Sequence, residues 1–206
     1  ASYLVAPSQV YAQLPPADII IDSTWTFQEI NNVMDGDPLT KGKNNTSDPA
    51  PWSGKIIELA RDTAYTTSPQ ANASFRNYIP GIKVRCEDNL TTILQNDPNF
   101  IDGVIFINYA AGAQIQNCQF ANSAFGFVNE AADPAYPVVV QGNIFQNLSE
   151  GLVWQARVEV IGDNTSPSLK VYDNLFDGAK HAMMGPRGSP YYGMQQPWIE
   201  ARGNTA

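Results

Sequence analysis

Four side chains are of types suited to acid/base work on a sugar polymer: Glu150, Lys180, His181 and Arg187. A carboxylate beside an imidazole can give and take a proton across one bond, and a neighbouring Lys or Arg can act as base or steady an anionic group. Asp173 and Asp177 lie in the same stretch. Hydrolysis by paired carboxyls needs the two about 5 to 10 Å apart. Strands stacked at about 4.8 Å would bring acids on neighbouring strands into that range. No three acids align here, and the plainer reading of the cluster, favoured on base rates, is a solvated corner with an ordinary ion pair.

Aromatic residues suggest a second chemistry. Tyr191, Tyr192 and Trp198 flank "RGSPYYGMQQPW", Trp154 ends an apolar run, and Trp25 and Trp52 lie near the start. Sugars stack on exposed aromatic faces, so Tyr191, Tyr192, Trp198 and Trp154 are candidate glycan contacts. The alternative is that these rings cover the core from the loop side.

No cofactor or metal is expected. The two cysteines, Cys86 and Cys118, form no CxxC pair and accompany a single histidine, which excludes a Cys/His zinc site. They either pair or stay buried as thiols. Asp35 and Asp37 in "VMDGDP" are the nearest approach to a Ca²⁺ loop and lack its further ligands. Sequons begin at Asn44, Asn45, Asn72, Asn89, Asn147 and Asn164. A chain rich in Asn, Ser and Thr makes such triplets by chance.

Charge narrows the partners. Twenty acidic against 12 basic residues give a net charge of −8 with no basic cluster. That disfavours nucleic acid, whose phosphates need a positive footprint. No apolar run reaches the ~18 residues of a membrane span. Hydrophobic residues at 43% are enough for a folded core in one domain.

The elements that must carry these side chains are legible as a repeat. "AQIQNCQFANSAFGFV", "VVQGNIFQNLSEGLV" and "LKVYDNLFDGAKHAMM" align on Phe120, Phe145 and Phe176. Five residues earlier stand Ile115, Val140 and Val171; seven earlier stand Ala113, Val138 and Leu169. Two earlier stand Cys118, Asn143 and Asn174. "WIEARGNTA" begins a fourth copy with Ile199, Ala201 and Asn204 in step and Ala206 in the Phe slot. A period of 25, 31 and 30 residues built of strands and turns predicts a solenoid. Alternate residues then point into a shared core. The Asn slot predicts side chains that stack from coil to coil and bond buried backbone. Small residues two and six places after the Phe (Asn122, Asn147, Gly178; Gly126, Gly151, Ala182) predict corners. In this register His181 falls in the slot of Glu150 and Phe125.

"GKIIELARDTAY", "IPGIKVRCEDNLTTIL", "FIDGVIFIN" and "AQIQNCQFANSAFGFV" together resemble the opening coils of the pectin lyase-like superfamily, over roughly residues 54 to 206. The chain departs from that pattern at Cys86–Glu87, where a Gly is common. The resemblance implies an all-β fold, a right-handed parallel β-helix. Residues 1–53 are expected to be an irregular N-terminal cap and 54–206 the helix, its last coil incomplete. The superfold hosts lyases, hydrolases, epimerases, adhesins and phage tailspikes, so it does not fix the function. "WxDH" and "RxPxxR" elements of the pectate lyases are absent from the chain.

The expectation is therefore a non-catalytic structural or binding module of an extracellular or virion surface assembly, tailspike- or adhesin-like, with glycan as a ligand. Other copies or other chains would complete the open last coil. The alternative is a polysaccharide lyase or glycoside hydrolase, or a fragment of one, using Glu150, Lys180, His181 and Arg187.

Overall fold

The computed structural model describes residues 15–35, 53–70, 73–131, 133, 135–154, 169–184 and 199–206. The fold opens with strand β1 (Ile19–Ile21) and helix α1 (Phe27–Asp35). Strands β2 (Ile56–Leu59), β3 (Thr63–Thr66), β4 (Phe75–Asn77), β5 (Lys83–Cys86), β6 (Thr92–Gln95) and β7 (Val104–Asn108) follow. Next come β8 (Gln114–Gln116), β9 (Gln119–Asn129), β10 (Val138–Gln141) and β11 (Ile144–Trp154). The chain ends with β12 (Leu169–Tyr172), β13 (Leu175–Asp177), β14 (His181–Met184) and β15 (Ile199–Arg202).

All strand pairs are parallel and join segments one coil apart, which makes the molecule a parallel β-solenoid. One sheet stacks seven strands in the order β1-β2-β5-β8-β10-β12-β15. The repeat read from the sequence is the register of this sheet and its neighbour. Val138 lies opposite Leu169 and Leu169 opposite Ile199; Ile115, Val140, Val171 and Ala201 form the next column. Phe120, Phe145 and Phe176 are in register in the second sheet, their rings parallel at 5.0 and 4.9 Å. These columns are buried up to β12, because alternate residues of each strand face the lumen, while at β15 Ile199 is half-buried and Ala201 exposed.

Three columns of polar side chains run inside the stack, and each satisfies backbone groups that would otherwise be buried without partners. In the first, Asn143 Oδ1 accepts from Cys118 N–H at 2.9 Å while Asn143 Nδ2 donates to Ile115 O at 3.0 Å. Asn174 repeats this one coil on, accepting from Asn143 N–H and donating to Val140 O; Asn204 repeats it again. A second ladder joins Asn77, Asn108 and Asn129 through amide contacts of 2.7 and 2.8 Å. The third links Thr67, Asn96 and Ser123. The second ladder had a sequence signal, since "FRN", "FIN" and "FVN" end strands β4, β7 and β9.

The corner residues divide into two kinds. Asn122, Asn147 and Gly178 all take positive φ, of 58°, 51° and 68°, so this corner requires the left-handed conformation that Asn and Gly tolerate. Gly126 and Gly151 are different. A Cβ on Gly126 would lie 2.6 Å from Gly151 O, and one on Gly151 would lie 2.7 Å from the Phe176 ring. Smallness at this slot comes from close packing over the Phe column, not from a turn.

Helix α1 closes the start of the stack. Its N-terminus is a capping box: Thr26 Oγ1 accepts from Glu29 N–H and Glu29 Oε2 accepts from Thr26 N–H. Ile30, Val33 and Met34 are buried, and Phe27 meets Phe75 at 5.2 Å. Asn31 treats β4 as a strand partner would. It donates to Ser74 O and accepts from Arg76 N–H, covering an edge that would otherwise be open.

The cysteines are paired. Cys86 at the end of β5 and Cys118 just after β8 lie on adjacent coils, Cα atoms 4.9 Å apart.

Candidate functional site

Parallel pairing brings part of the acid/base cluster together. Glu150 of β11 lies directly opposite His181 of β14, and Phe125 of β9 is next in the same row. Lys180 precedes His181, and its backbone N–H donates to Leu148 O at 3.0 Å, which fixes the start of β14 against β11. The Lys180 and His181 side chains are both exposed. Arg187 lies outside the described residues.

The acids near this row are engaged elsewhere. Asp177 Oδ2 accepts from Gln146 Nε2 at 3.1 Å, and Gln146 accepts from Gln119 at 2.7 Å. Asp173 takes a positive φ of 54° at the first corner, and its Oδ2 accepts from Gln141 Nε2. Both carboxylates therefore end rows of amide side chains running along the outside of the stack. Among the described residues no three His, Cys, Asp or Glu gather as a metal site. Asp35 ends α1, while Asp37 lies outside the described residues.

Of the proposed glycan contacts, Trp154 is the last residue of β11, opposite Asn129. Tyr191, Tyr192 and Trp198 lie outside the described residues, as does Trp52. Trp25 packs partly buried against the core and takes the covering role. Sequence reasoning passed over a different aromatic pair. Tyr78 and Tyr109, on successive coils, stack at 4.5 Å and 5° with Tyr78 43% exposed. Burial, with the Glu130 charge second, raises the Tyr109 hydroxyl above its ordinary range. Their shared signal was position: each follows the Asn of an "FxN" triplet.

The outer face of the seven-stranded sheet was also missed. Lys83 of β5, Gln114 and Gln116 of β8, Gln141 of β10, and Lys170 and Tyr172 of β12 alternate with core residues and are half-exposed. At one end of this face Arg85 and Glu58 form a largely covered ion pair at 2.6 Å, with side chains 10% and 18% exposed. At the other end Glu200 pairs with Arg202. Burial raises the Tyr172 hydroxyl, and a hydrogen bond with Glu200 adds to the shift. Compared with family models, with curated proteins and with solved structures, the chain gives no match.

Proposed function

We propose that the chain is a non-catalytic structural and binding module of an extracellular or virion surface assembly, tailspike-like or adhesin-like, built on a pectin lyase-like right-handed β-helix and binding glycan. The observation that carries this reading is the way the coils are locked to one another from inside. A disulfide and three polar ladders cross-link successive coils, which suits a rod exposed to harsh surroundings. A structural disulfide also fits an oxidising compartment. Strand β15 pairs with β12 on one side, and among the described residues its other edge has no partner. Such an edge is completed by pairing with a further strand, whether of this chain, another copy or another chain of the assembly.

Light scattering on the purified chain tests the assembly. The expected result is an oligomer that Ala201→Lys dissociates, because Ala201 is exposed at the end of a core column. A monomer at every concentration overturns it. The second reading, a polysaccharide lyase or glycoside hydrolase, is favoured by the opposed Glu150 and His181. It predicts polymer cleavage that His181→Ala abolishes.

A further inference from the structure

We propose that Asn147 is an acceptor for an N-linked glycan, carried on the corner between the two halves of β11. The proposal rests on the extracellular reading and adds a covalent modification to it.

Three observations carry it. First, Asn147 opens the triplet Asn147-Leu148-Ser149, in which Leu148 is buried while Asn147 and Ser149 are both exposed. Folding leaves outside the two side chains that an N-glycosylating transferase reads. Second, the Asn147 amide is not used by the fold. Its counterpart one coil earlier, Asn122, has the same left-handed φ, but Asn122 Nδ2 donates to Gln95 Oε1 at 3.1 Å. The register partner of Gln95 on the next coil is Ala121, so the acceptor that Asn147 would meet in the same place is missing. Among the described residues the Asn147 side chain has no hydrogen-bond partner. The corner residue of the following coil is Gly178, and even a Cβ added there would stay 3.5 Å from Asn147 Oδ1. The amide is therefore uncrowded on that side too. Third, the other sequon among the described residues is occupied by the fold itself. Asn89 Nδ2 donates to Gly142 O at 3.1 Å, and Thr91 Oγ1 accepts from Asp62 N–H. A sugar on Asn89 would break the first of these contacts; a sugar on Asn147 breaks none.

In the transfer, Asn147 Nδ2 bonds to the anomeric carbon of an oligosaccharide carried on a polyprenyl pyrophosphate. The bond from that carbon to the pyrophosphate oxygen breaks, the lipid pyrophosphate leaves, and the amide gives up one proton. The sugar is added before the chain folds, so the fold decides which occupied site is tolerated.

The test is secretion of the full chain from a eukaryotic host, followed by site-by-site peptide mass spectrometry before and after enzymatic removal of N-glycans. Ser149→Ala and Asn89→Gln are run alongside. Ser149→Ala is chosen because it keeps Asn at the left-handed position 147. Mapping by site keeps apart Asn44, Asn45, Asn72 and Asn164, which lie outside the described residues. The expected result is a glycan at Asn147 on most copies, lost in Ser149→Ala and unchanged in Asn89→Gln, with Asn89 occupied at least tenfold less. After glycan removal, Ser149→Ala and the parent chain should have equal urea midpoints. A secreted, disulfide-bonded chain with Asn147 bare, or with Asn89 as fully occupied, overturns the proposal and leaves the extracellular reading standing. A chain retained in the cell with both thiols free overturns both.

Discussion

The first corner of the solenoid is built in two ways along one column. In the early coils Cys86 and Cys118 are joined covalently; in the later coils Asn143, Asn174 and Asn204 are joined by amide hydrogen bonds. Cys118 belongs to both halves, since its N–H donates to Asn143 Oδ1. Both devices hold adjacent coils at strand spacing, but by different physics. The disulfide acts largely by restricting the unfolded chain. The amide ladder acts in the folded state, by satisfying backbone groups at the corner that have no sheet partner.

That difference can be broken from either side. The largest effect is expected from Cys86→Ala/Cys118→Ala. Opening a loop closed across 32 residues should cost about 3 to 4 kcal/mol, and reductant in the denaturation of the parent chain should give the same loss. Asn174→Ala should come next. Asn174 is 2% exposed and holds groups on both neighbouring coils. Its loss should cost about 3 kcal/mol in urea melts, and reductant should not mimic it. Asn204→Ala, with a neighbour on one side, should cost about 1 kcal/mol. Equal losses at Asn174 and Asn204 would mean the ladder does not act as a chain of coupled rungs. Gly126→Ala should cost about 2 kcal/mol, because the new methyl meets the Gly151 carbonyl, which cannot rotate away.

An effect as small as that at Asn204 concerns the start of the stack. Tyr65 donates to Ile21 O at 2.6 Å, and burial, the main cause, pushes its hydroxyl up to about 12. The folded value lies above the unfolded one near 10. Its contribution is therefore complete below about pH 10 and is lost as pH rises through 12. Tyr65→Phe should cost about 1 kcal/mol at neutral pH and flatten the alkaline limb of a stability–pH curve.

The lumen was legible in the sequence and the outside was not, for a physical reason. Columns such as Val138–Leu169–Ile199 and Phe120–Phe145–Phe176 must repeat because each packs on its copy in the next coil. The Asn slot was legible for the same reason. The cysteines were not, because one coil of cysteine in a column of Asn gives no period. The "FxN" ladder was readable and went unread, because its coils precede the copies that align best. Outward side chains are under no such constraint. Lys83 and Lys170 share a row, but Gln114 and Val139 stand between them and nothing in the spacing marks the pair. Glu150 and His181 were placed together by counting from the Phe, and the register agrees.

The most direct test of the account is to measure binding and chain length of one polysaccharide in the same sample. The chain is incubated with alginate or dextran sulfate, bound protein is quantified, and polymer length and unsaturated ends are followed over a day. The account predicts saturable binding with no shortening of the polymer. Shortening that His181→Ala abolishes would contradict it and make the chain an enzyme.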